Sequence, residues 1–131
     1  NVACFSDQNT VLAMTCSDKD DTYYDLLSEN LDILKSSVDQ DNNPLKIVEV
    51  EMSKKRFIPG DDEPSSYINF YIANSAIILP FFGDDTADQN AMKIIKEQFP
   101  NRQIECLDGH DILMGGGNIH CITQQQPKAV S

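Results

Sequence analysis

The sequence lacks any run of about 18 apolar residues, the length that a membrane-spanning helix needs. Its first residues also lack a basic segment followed by an apolar one, which is the pattern of a secretory signal. We therefore expect a cytoplasmic protein with no membrane partner.

Positive charge is scarce as well. Ten Lys and Arg residues face 21 Asp and Glu residues, so the 131-residue chain has a formal net charge of −11. Such an excess argues against a nucleic-acid partner or an anionic membrane surface. Two interpretations stay open: the acidity fits a cationic substrate or partner, or it only keeps the protein soluble.

The four cysteines, Cys4, Cys16, Cys106 and Cys121, form no C-x-x-C pair, and no His/Cys spacing typical of a zinc site is present. We therefore expect reduced thiols and no metal site.

Residues 1–52 predict one α/β module. Apolar strands are expected at residues 2–5 and 10–15, joined by turn-forming residues, and a further strand at 45–52. Between them, good N-cap residues at 20–22 precede an amphipathic helix. Its apolar face is predicted to contain Tyr23, Leu27, Leu31, Leu34 and Val38.

The same plan returns in residues 67–108. Strands are expected at 67–72, 76–82 and 103–107, with Pro80 placing the second strand at an edge or near its own end. The helix of this module is capped by Asp84 and Asp85, and Asp-Asp-Thr occurs at both 20–22 and 84–86. The buried positions predicted for it are Ala87, Ala91, Ile94, Ile95 and Phe99. An internal repeat of this kind predicts similar units arranged around an axis.

Residues 53–66 show no periodicity and are predicted to be a long loop, a kind of segment that is often functional. The basic residues Lys54, Lys55 and Arg56 are interpreted as a solvated patch.

A glycine run leads into a cysteine in the last segment, residues 109–131. Gly115, Gly116 and Gly117 predict a loop that approaches something closely. A strand is expected at 118–123, with Cys121 and His120 on opposite faces. Such a thiol could be a nucleophile with backbone N–H groups nearby, or an inert buried cysteine.

That strand would open a third module, which ends without a helix at Ser131. Two modules and a fraction cannot close a ring, and the chain opens at Asn1 directly in a strand. We therefore expect the C-terminal part of a larger protein.

Two motifs carry a family resemblance. Gly-Gly-Gly-Asn-Ile-His-Cys-Ile-Thr-Gln-Gln-Gln-Pro at 115–127 resembles the nucleophile segment of agmatine deiminases, the family that also includes bacterial-type peptidylarginine deiminases. Ser-Tyr-Ile-Asn-Phe-Tyr-Ile-Ala-Asn at 66–74 is similar to a second signature of that family. Residues 31–35 and 44–46 fit its intervening helix and strand.

The resemblance implies a pentein fold, which is a five-bladed αβ propeller of ββαβ modules. This chain would hold two blades and the first strand of another, all in one domain. It also implies that Cys121 attacks the guanidinium carbon of agmatine, that ammonia leaves, and that water releases N-carbamoylputrescine, a step of putrescine and polyamine biosynthesis. No metal or organic cofactor is implied.

The resemblance also suggests candidate roles for other residues. Gly115, Gly116, Gly117 and Asn118 are candidates for substrate or loop contacts. Ser66, Tyr67 and Asn69 are candidates for the substrate tail, with core packing as the alternative for Tyr67. The family is often dimeric, so a homodimer is possible.

The family's catalytic histidine and a guanidinium-binding aspartate belong to a Gly-His-Val-Asp-type segment that would precede residue 1. His120 is interpreted as structural and His110 as a surface-loop residue. An enzyme that needs its N-terminal half is therefore the leading hypothesis. Peptidylarginine deiminase activity and a non-catalytic split or truncated chain that acts as an assembly module are the alternatives.

Overall fold

The computed structural model describes residues 2–57 and 63–127, so the chain start at Asn1 and part of the predicted 53–66 loop lie outside the described residues. The first unit comprises β1 (Ala3–Phe5), β2 (Thr10–Thr15), α1 (Tyr24–Ser36) and β3 (Lys46–Glu51). No helix within these described stretches has the length and apolar character needed to cross a membrane. The remaining elements are β4 (Tyr71–Ile72), β5 (Ala76–Phe81), α2 (Asp85–Gln98), β6 (Gln103–Asp108), α3 (His110–Leu113) and a 3-10 helix (Ile119–Ile122).

The two units have the same topology, as the sequence repeat predicts. Each is a three-stranded sheet in which the middle strand pairs antiparallel with the strand before it and parallel with the strand after the helix. In the first sheet Cys4 is opposite Leu12, and Leu12 is opposite Val48. In the second, Tyr71 is opposite Ile78. The predicted ββαβ plan is therefore present twice.

Both middle strands are largely apolar, and β2 is buried on both faces whereas β5 is buried mainly at Ile77, Leu79 and Pro80. Residues 10–14 of β2 are all buried. Pro80 lies inside β5, which is a central strand, so the prediction of an edge strand is wrong, whereas the alternative, a position near the strand end, is correct. The short β4 pairs only with Ile77 and Ile78, so Pro80 lies beyond the antiparallel ladder, where a residue without an N–H is tolerated.

Helix α1 buries one side against its sheet, but its apolar face is narrower than predicted. Leu27 is buried, and Leu31 and Leu34 are half-buried. The helix ends at Ser36, where the Ser37 N–H bonds the Leu34 carbonyl and the chain turns extended. Val38 therefore lies outside the helix, with 52% of its surface exposed, and its assignment to the helix face is wrong.

Helix α2 begins as predicted, with Asp84 as its N-cap. The Asp84 carboxylate accepts the Ala87 N–H at 3.3 Å and also the Ser53 hydroxyl at 3.1 Å. At 20–22, by contrast, Asp21 accepts the Tyr23 N–H and lies two residues before the N-cap Tyr23. The repeated Asp-Asp-Thr thus caps the second helix directly and only supports the turn before the first.

One apolar core joins the two units. It contains Leu12 and Met14 from β2 together with Ile77 and Leu79 from β5. The buried faces of α1 and α2 also contribute to it. The two modules therefore share one apolar core.

The predicted strand at 67–72 is correct only for its last two residues. Residues 65–70 are buried but form a turn, in which the Ser66 hydroxyl accepts the Ile68 N–H at 3.3 Å and the Ser66 carbonyl accepts the Asn69 N–H at 3.4 Å. Serine side chains compete with ladder hydrogen bonds in this way. The turn redirects Asn69 toward the C-terminal segment.

The basic residues 54–56 are not a single solvated patch. Arg56 is partly buried and forms an ion pair with Asp21 at 2.5 Å, which connects the loop after β3 to the start of α1. The Lys55 ammonium donates to the Gly83 carbonyl. Lys54 and Lys55 are both exposed, as predicted, whereas Arg56 is not.

Candidate active site

The two signature motifs meet at one contact. The side-chain Nδ2 of Asn69 lies 3.3 Å from the sulfur of Cys121, and Oδ1 of the same amide lies 3.6 Å from it. The Asn69 carbonyl also accepts the His120 N–H at 3.2 Å. Cys121 is a free thiol exposed to solvent. A thiol and a side-chain amide that are 52 residues apart in sequence are thus in contact.

The strand predicted at 118–123 is wrong, because Cys121 belongs to the 3-10 helix Ile119–Ile122. Asn118 caps this helix: its Oδ1 accepts the Ile119 N–H at 2.9 Å, and its carbonyl accepts the Cys121 N–H at 2.9 Å. These short-range bonds replace a strand ladder. The prediction that strand alternation puts His120 and Cys121 on opposite faces therefore does not apply.

Three backbone N–H groups near the thiol have hydrogen-bond partners. Those of Ile119 and Cys121 bond to Asn118, and that of His120 bonds to Asn69. The side-chain amide of Asn69 donates to the sulfur.

The glycine loop approaches the cysteine closely, as predicted. Gly117 has a φ of +79°, and a Cβ atom placed on it would lie 2.5 Å from the Cys121 sulfur. Gly116 has a φ of +85° but faces open space. Gly115 instead donates its N–H to the Ile112 carbonyl at the end of α3. Of the three glycines, Gly117 has the direct role in making room for the thiol.

Asn118 is buried and fixes the loop to the second unit. Its Nδ2 donates to the Gly109 carbonyl at 2.9 Å. A Cβ on Gly109 would lie within 3 Å of both the Asn118 amide and Pro80. The structure thus gives Asn118 a supporting contact inside the protein.

Tyr67 and Ser66 lie in the interior. The Tyr67 hydroxyl donates to the Asp88 carboxylate at 2.7 Å, and burial together with this carboxylate raises the pKa of Tyr67 well above its ordinary value. The Ser66 hydroxyl accepts the Ile68 N–H. Of the three residues suggested for the substrate tail, Asn69 is in contact with Cys121.

The sequence analysis did not identify Asp88 as an important polar residue. In the structure it is only 3% exposed, and its carboxylate also accepts the Phe82 N–H at 3.0 Å. Its spacing from Ala91 and Ile95 places it on the buried face of α2, which could have revealed it.

The two histidines lie in different surroundings. His110 is the first residue of α3, not a loop residue, and its ring packs 4.4 Å from the ring of Phe57. His120 is exposed and lines a cleft of about 270 Å³, which is also bordered by Cys4 of β1 and Phe70. The assignment of His110 to a surface loop is therefore corrected.

Burial disfavours the thiolate form of the other three thiols. Burial raises the pKa of Cys4 to about 11, and it also raises the pKa values of Cys16 and Cys106. A thiol with a raised pKa forms little thiolate near neutrality. Within residues 2–57 and 63–127, no group of three His, Cys, Asp or Glu side chains could hold a metal ion.

Comparison with known proteins gives a consistent family. The family model of Porphyromonas-type peptidyl-arginine deiminase matches residues 1–127. A Legionella pneumophila (strain Paris) protein, provisionally named agmatine deiminase, is 41% identical over 98% of this chain and 37% of its own length. An agmatine deiminase of Medicago truncatula is 33% identical over 97% of this chain and 39% of its own length.

Solved structures agree. The agmatine deiminase of Enterococcus faecalis superposes with a TM-score of 0.89 at 29% identity, covering 98% of this chain and 40% of that one. The chain thus spans about two fifths of the length of the relatives it matches. It belongs to the Porphyromonas-type peptidyl-arginine deiminase family.

Proposed function

We propose that this chain supplies the nucleophile of a hydrolase that deiminates agmatine, and that Cys121 is that nucleophile. The observation that carries the proposal is the exposed Cys121 thiol in the matching motif, held between Gly117 and the Asn69 amide. Relatives named agmatine deiminase support the substrate.

In the proposed reaction the Cys121 thiolate forms an S–C bond to the guanidinium carbon. The C–N bond to one terminal nitrogen breaks, and that nitrogen takes a proton and leaves as ammonia. Water then attacks the resulting S-alkylthiouronium carbon, the S–C bond breaks, and N-carbamoylputrescine and the free thiol remain. A soft thiolate suits this step because the guanidinium carbon is only weakly electrophilic.

A guanidinium cation also needs carboxylates to hold it and a group to move protons. We infer that these come from the residues by which the longer relatives exceed this chain, since it spans only about two fifths of their length. The complete protein would then be a five-bladed ring of ββαβ modules. The net charge of −11 supports a cationic substrate. We propose a cytoplasmic enzyme whose product feeds putrescine and polyamine synthesis.

The test is replacement of the proposed nucleophile in the natural full-length protein. Cys121→Ser should abolish ammonia release from agmatine, because a serine hydroxyl is a far weaker nucleophile near neutrality. Cys16→Ser is the matched control, since it removes another free thiol distant in sequence, and it should retain turnover. Retained turnover by Cys121→Ser would refute the assignment.

Peptidylarginine deimination is the second candidate, favoured by the description of the matching family model. The two substrates share the guanidinium group and differ in the rest of the molecule, so the same thiolate serves both. Parallel assays on agmatine and on an arginine-containing peptide would separate them. If the natural full-length protein turns over neither, the non-catalytic alternative, an assembly module, is favoured.

A further inference from the structure

We propose that one flank of helix α1 is a contact surface for the third strand of another ββαβ unit of the same protein, and that this strand presents apolar side chains to it. The flank consists of Leu26, Asn30 and Ile33, and we call these residues the α1 flank. The proposed contact rests on the proposed function, since a ring of ββαβ modules is part of that proposal.

The two helices can be compared position by position, because the chain repeats Asp-Asp-Thr at 20–22 and 84–86. Aligning these tripeptides pairs Leu27 of α1 with Ala91 of α2, and both residues are buried. It likewise pairs Leu31, which is half-buried, with the buried Ile95. The two helices therefore have corresponding faces. In this alignment the α1 flank corresponds to Asn90, Ile94 and Glu97 of α2.

In the second unit, these positions face the unit before it. Asn90, Ile94 and Glu97 line a cleft of about 630 Å³. The same cleft is lined by Glu49 and Glu51 of β3, which is the third strand of the first unit and has a strand partner on one side only. The flank of a helix in this repeat thus faces the third strand of the preceding unit.

The apolar side chains of the α1 flank are exposed. Leu26 is 57% exposed and Ile33 is 56% exposed. Among the described residues, only β1 and β2 precede α1, so no third strand of an earlier unit is there to cover them. Residues seven apart lie on the same side of a helix. A single exposed leucine needs no explanation, but here two apolar residues share the positions that face another unit in α2.

The chemistry of the α1 flank specifies what covers it. Where α2 faces the carboxylates of Glu49 and Glu51, it has the polar residues Asn90 and Glu97, and a cleft remains between the two elements. At the corresponding positions α1 has leucine and isoleucine. Apolar surface gains stability from apolar contact, whereas a carboxylate buried against it would cost free energy. We therefore expect a covering strand with apolar side chains and a closer contact than that of α2 with β3.

The relatives contain enough chain for such a unit. This chain matches 37% of the length of the Legionella pneumophila protein and 40% of the Enterococcus faecalis agmatine deiminase chain. More than half of each relative thus lies outside the matched region. A unit of the same protein is the occupant that these lengths favour, and a second copy of this chain is the alternative that the experiment must exclude.

The experiment determines whether the α1 flank is covered in the natural full-length protein. Leu26→Cys and Ile33→Cys each place a thiol on the flank. Glu29→Cys and Asp32→Cys are the matched controls, since they replace exposed charged residues of the same helix. Each folded variant is treated with N-ethylmaleimide, and the labelling rate of the introduced thiol is measured by peptide mass spectrometry. The rate in urea-unfolded protein corrects for intrinsic reactivity.

Labelling at positions 26 and 33 should be at least about tenfold slower than at positions 29 and 32, because a covered thiol reacts only when the contact opens. Similar rates at all four positions would overturn the proposal. Labelling is repeated at protein concentrations at which light scattering shows a monomer. Protection that is lost on dilution to the monomer would mean that a second copy covers the flank, and this result also overturns the proposal.

A second measurement tests the apolar character of the covering strand. Leu26→Asn and Ile33→Glu give α1 the residues that α2 has at the corresponding positions. Each should lower the thermal unfolding midpoint of the full-length protein by about 4 °C or more, because a polar group would be buried without a partner. Glu29→Gln, on the exposed side, should shift it by less than about 1 °C. An unchanged midpoint in both flank variants would show that the covering strand is not apolar and would refute that part of the proposal.

The test stays decisive if a cysteine variant fails to fold. Hydroxyl-radical footprinting of the unmodified protein then replaces labelling: weak oxidation of Leu26 and Ile33 relative to the unfolded protein supports the contact, and full oxidation overturns it. Turnover is a separate readout. An exposed flank together with an inactive Cys121→Ser refutes only the contact surface, whereas a protected flank together with an active Cys121→Ser refutes only the proposed nucleophile.

Discussion

Gly117 lies so close to Cys121 that a Cβ atom on it would be 2.5 Å from the sulfur and 2.9 Å from the cysteine Cβ. Its φ of +79° is also in the left-handed region that favours glycine. Two separate constraints, one on backbone conformation and one on space, thus fall on a single residue of the motif.

Gly117→Ala should displace the thiol, because the added methyl group and the sulfur cannot occupy the same space. A misplacement of about 1 Å can lower an enzyme rate by about 100-fold, and we expect a loss of that order in agmatine turnover by the natural full-length protein. Steady-state kinetics measure it.

Gly116→Ala is the control for this prediction. Gly116 has a similar φ of +85°, so alanine meets the same backbone strain, but nothing lies within 4 Å of the added atom. It should lower stability by about 1 kcal/mol while keeping most of the turnover. Equal losses of turnover in the two variants would mean that the strain, and not the contact with Cys121, matters.

Asp84→Ala should destabilise the protein by at least about 1 kcal/mol, because it removes the N-cap of α2 and the bond from Ser53. Asp85→Ala is the matched control, since Asp85 is exposed in the first turn and should cost only a few tenths of a kcal/mol. Urea unfolding near neutral pH measures both. Similar losses would contradict the assigned cap.

The contribution of Asp84 should also depend on pH. Burial acts to raise the pKa of its carboxyl group, but the hydrogen bonds from Ala87, Ser53 and Lys54 outweigh it and hold the pKa below the ordinary value of 3.8. The folded state therefore gains stability from the ionised group above that value and loses it as pH falls through the lower folded pKa. Asp84→Asn should reduce this acid-side slope in unfolding experiments. An identical slope would show that other carboxyl groups cause it.

Tyr67→Phe should lower stability without changing substrate binding. The lost hydroxyl bonds the buried Asp88 carboxylate at 2.7 Å, and a hydrogen bond to a charged group contributes about 1.5 to 3 kcal/mol. Tyr71→Phe, at a half-exposed position of β4, should have little effect. Thermal unfolding gives the stability change. A marked rise in KM for agmatine with unchanged stability would instead support Tyr67 as a contact with the substrate tail.

Much of the fold could be predicted from the sequence, since local patterns dominate it. The bounds of β2 match the structure because its continuous apolar run is typical of a strand buried on both faces. The cap at Asp84 was also predictable, because an aspartate before an amphipathic run acts within one turn. The two modules have the same topology because the same local patterns occur in both.

The errors arise where long-range or side-chain contacts replace ladder bonds. Around Ser66 and around Asn118, side-chain oxygens accept nearby N–H groups, so segments with strand-like composition form a turn and a 3-10 helix. Val38 was misplaced because the end of α1 is set by a backbone bond that composition does not reveal.

For the site, the sequence alone identified Cys121 as the candidate nucleophile and indicated that the glycine loop must approach something closely. The first conclusion rests on the family resemblance of residues 115–127, because residue chemistry alone left an inert thiol as the alternative. The second rests on the freedom of a residue without a Cβ. Only the tertiary structure decided that Gly117 is the glycine in contact and that Asn69 meets the sulfur. A contact between residues 52 apart depends on how the C-terminal segment packs against the turn before β4, and local patterns do not contain that information.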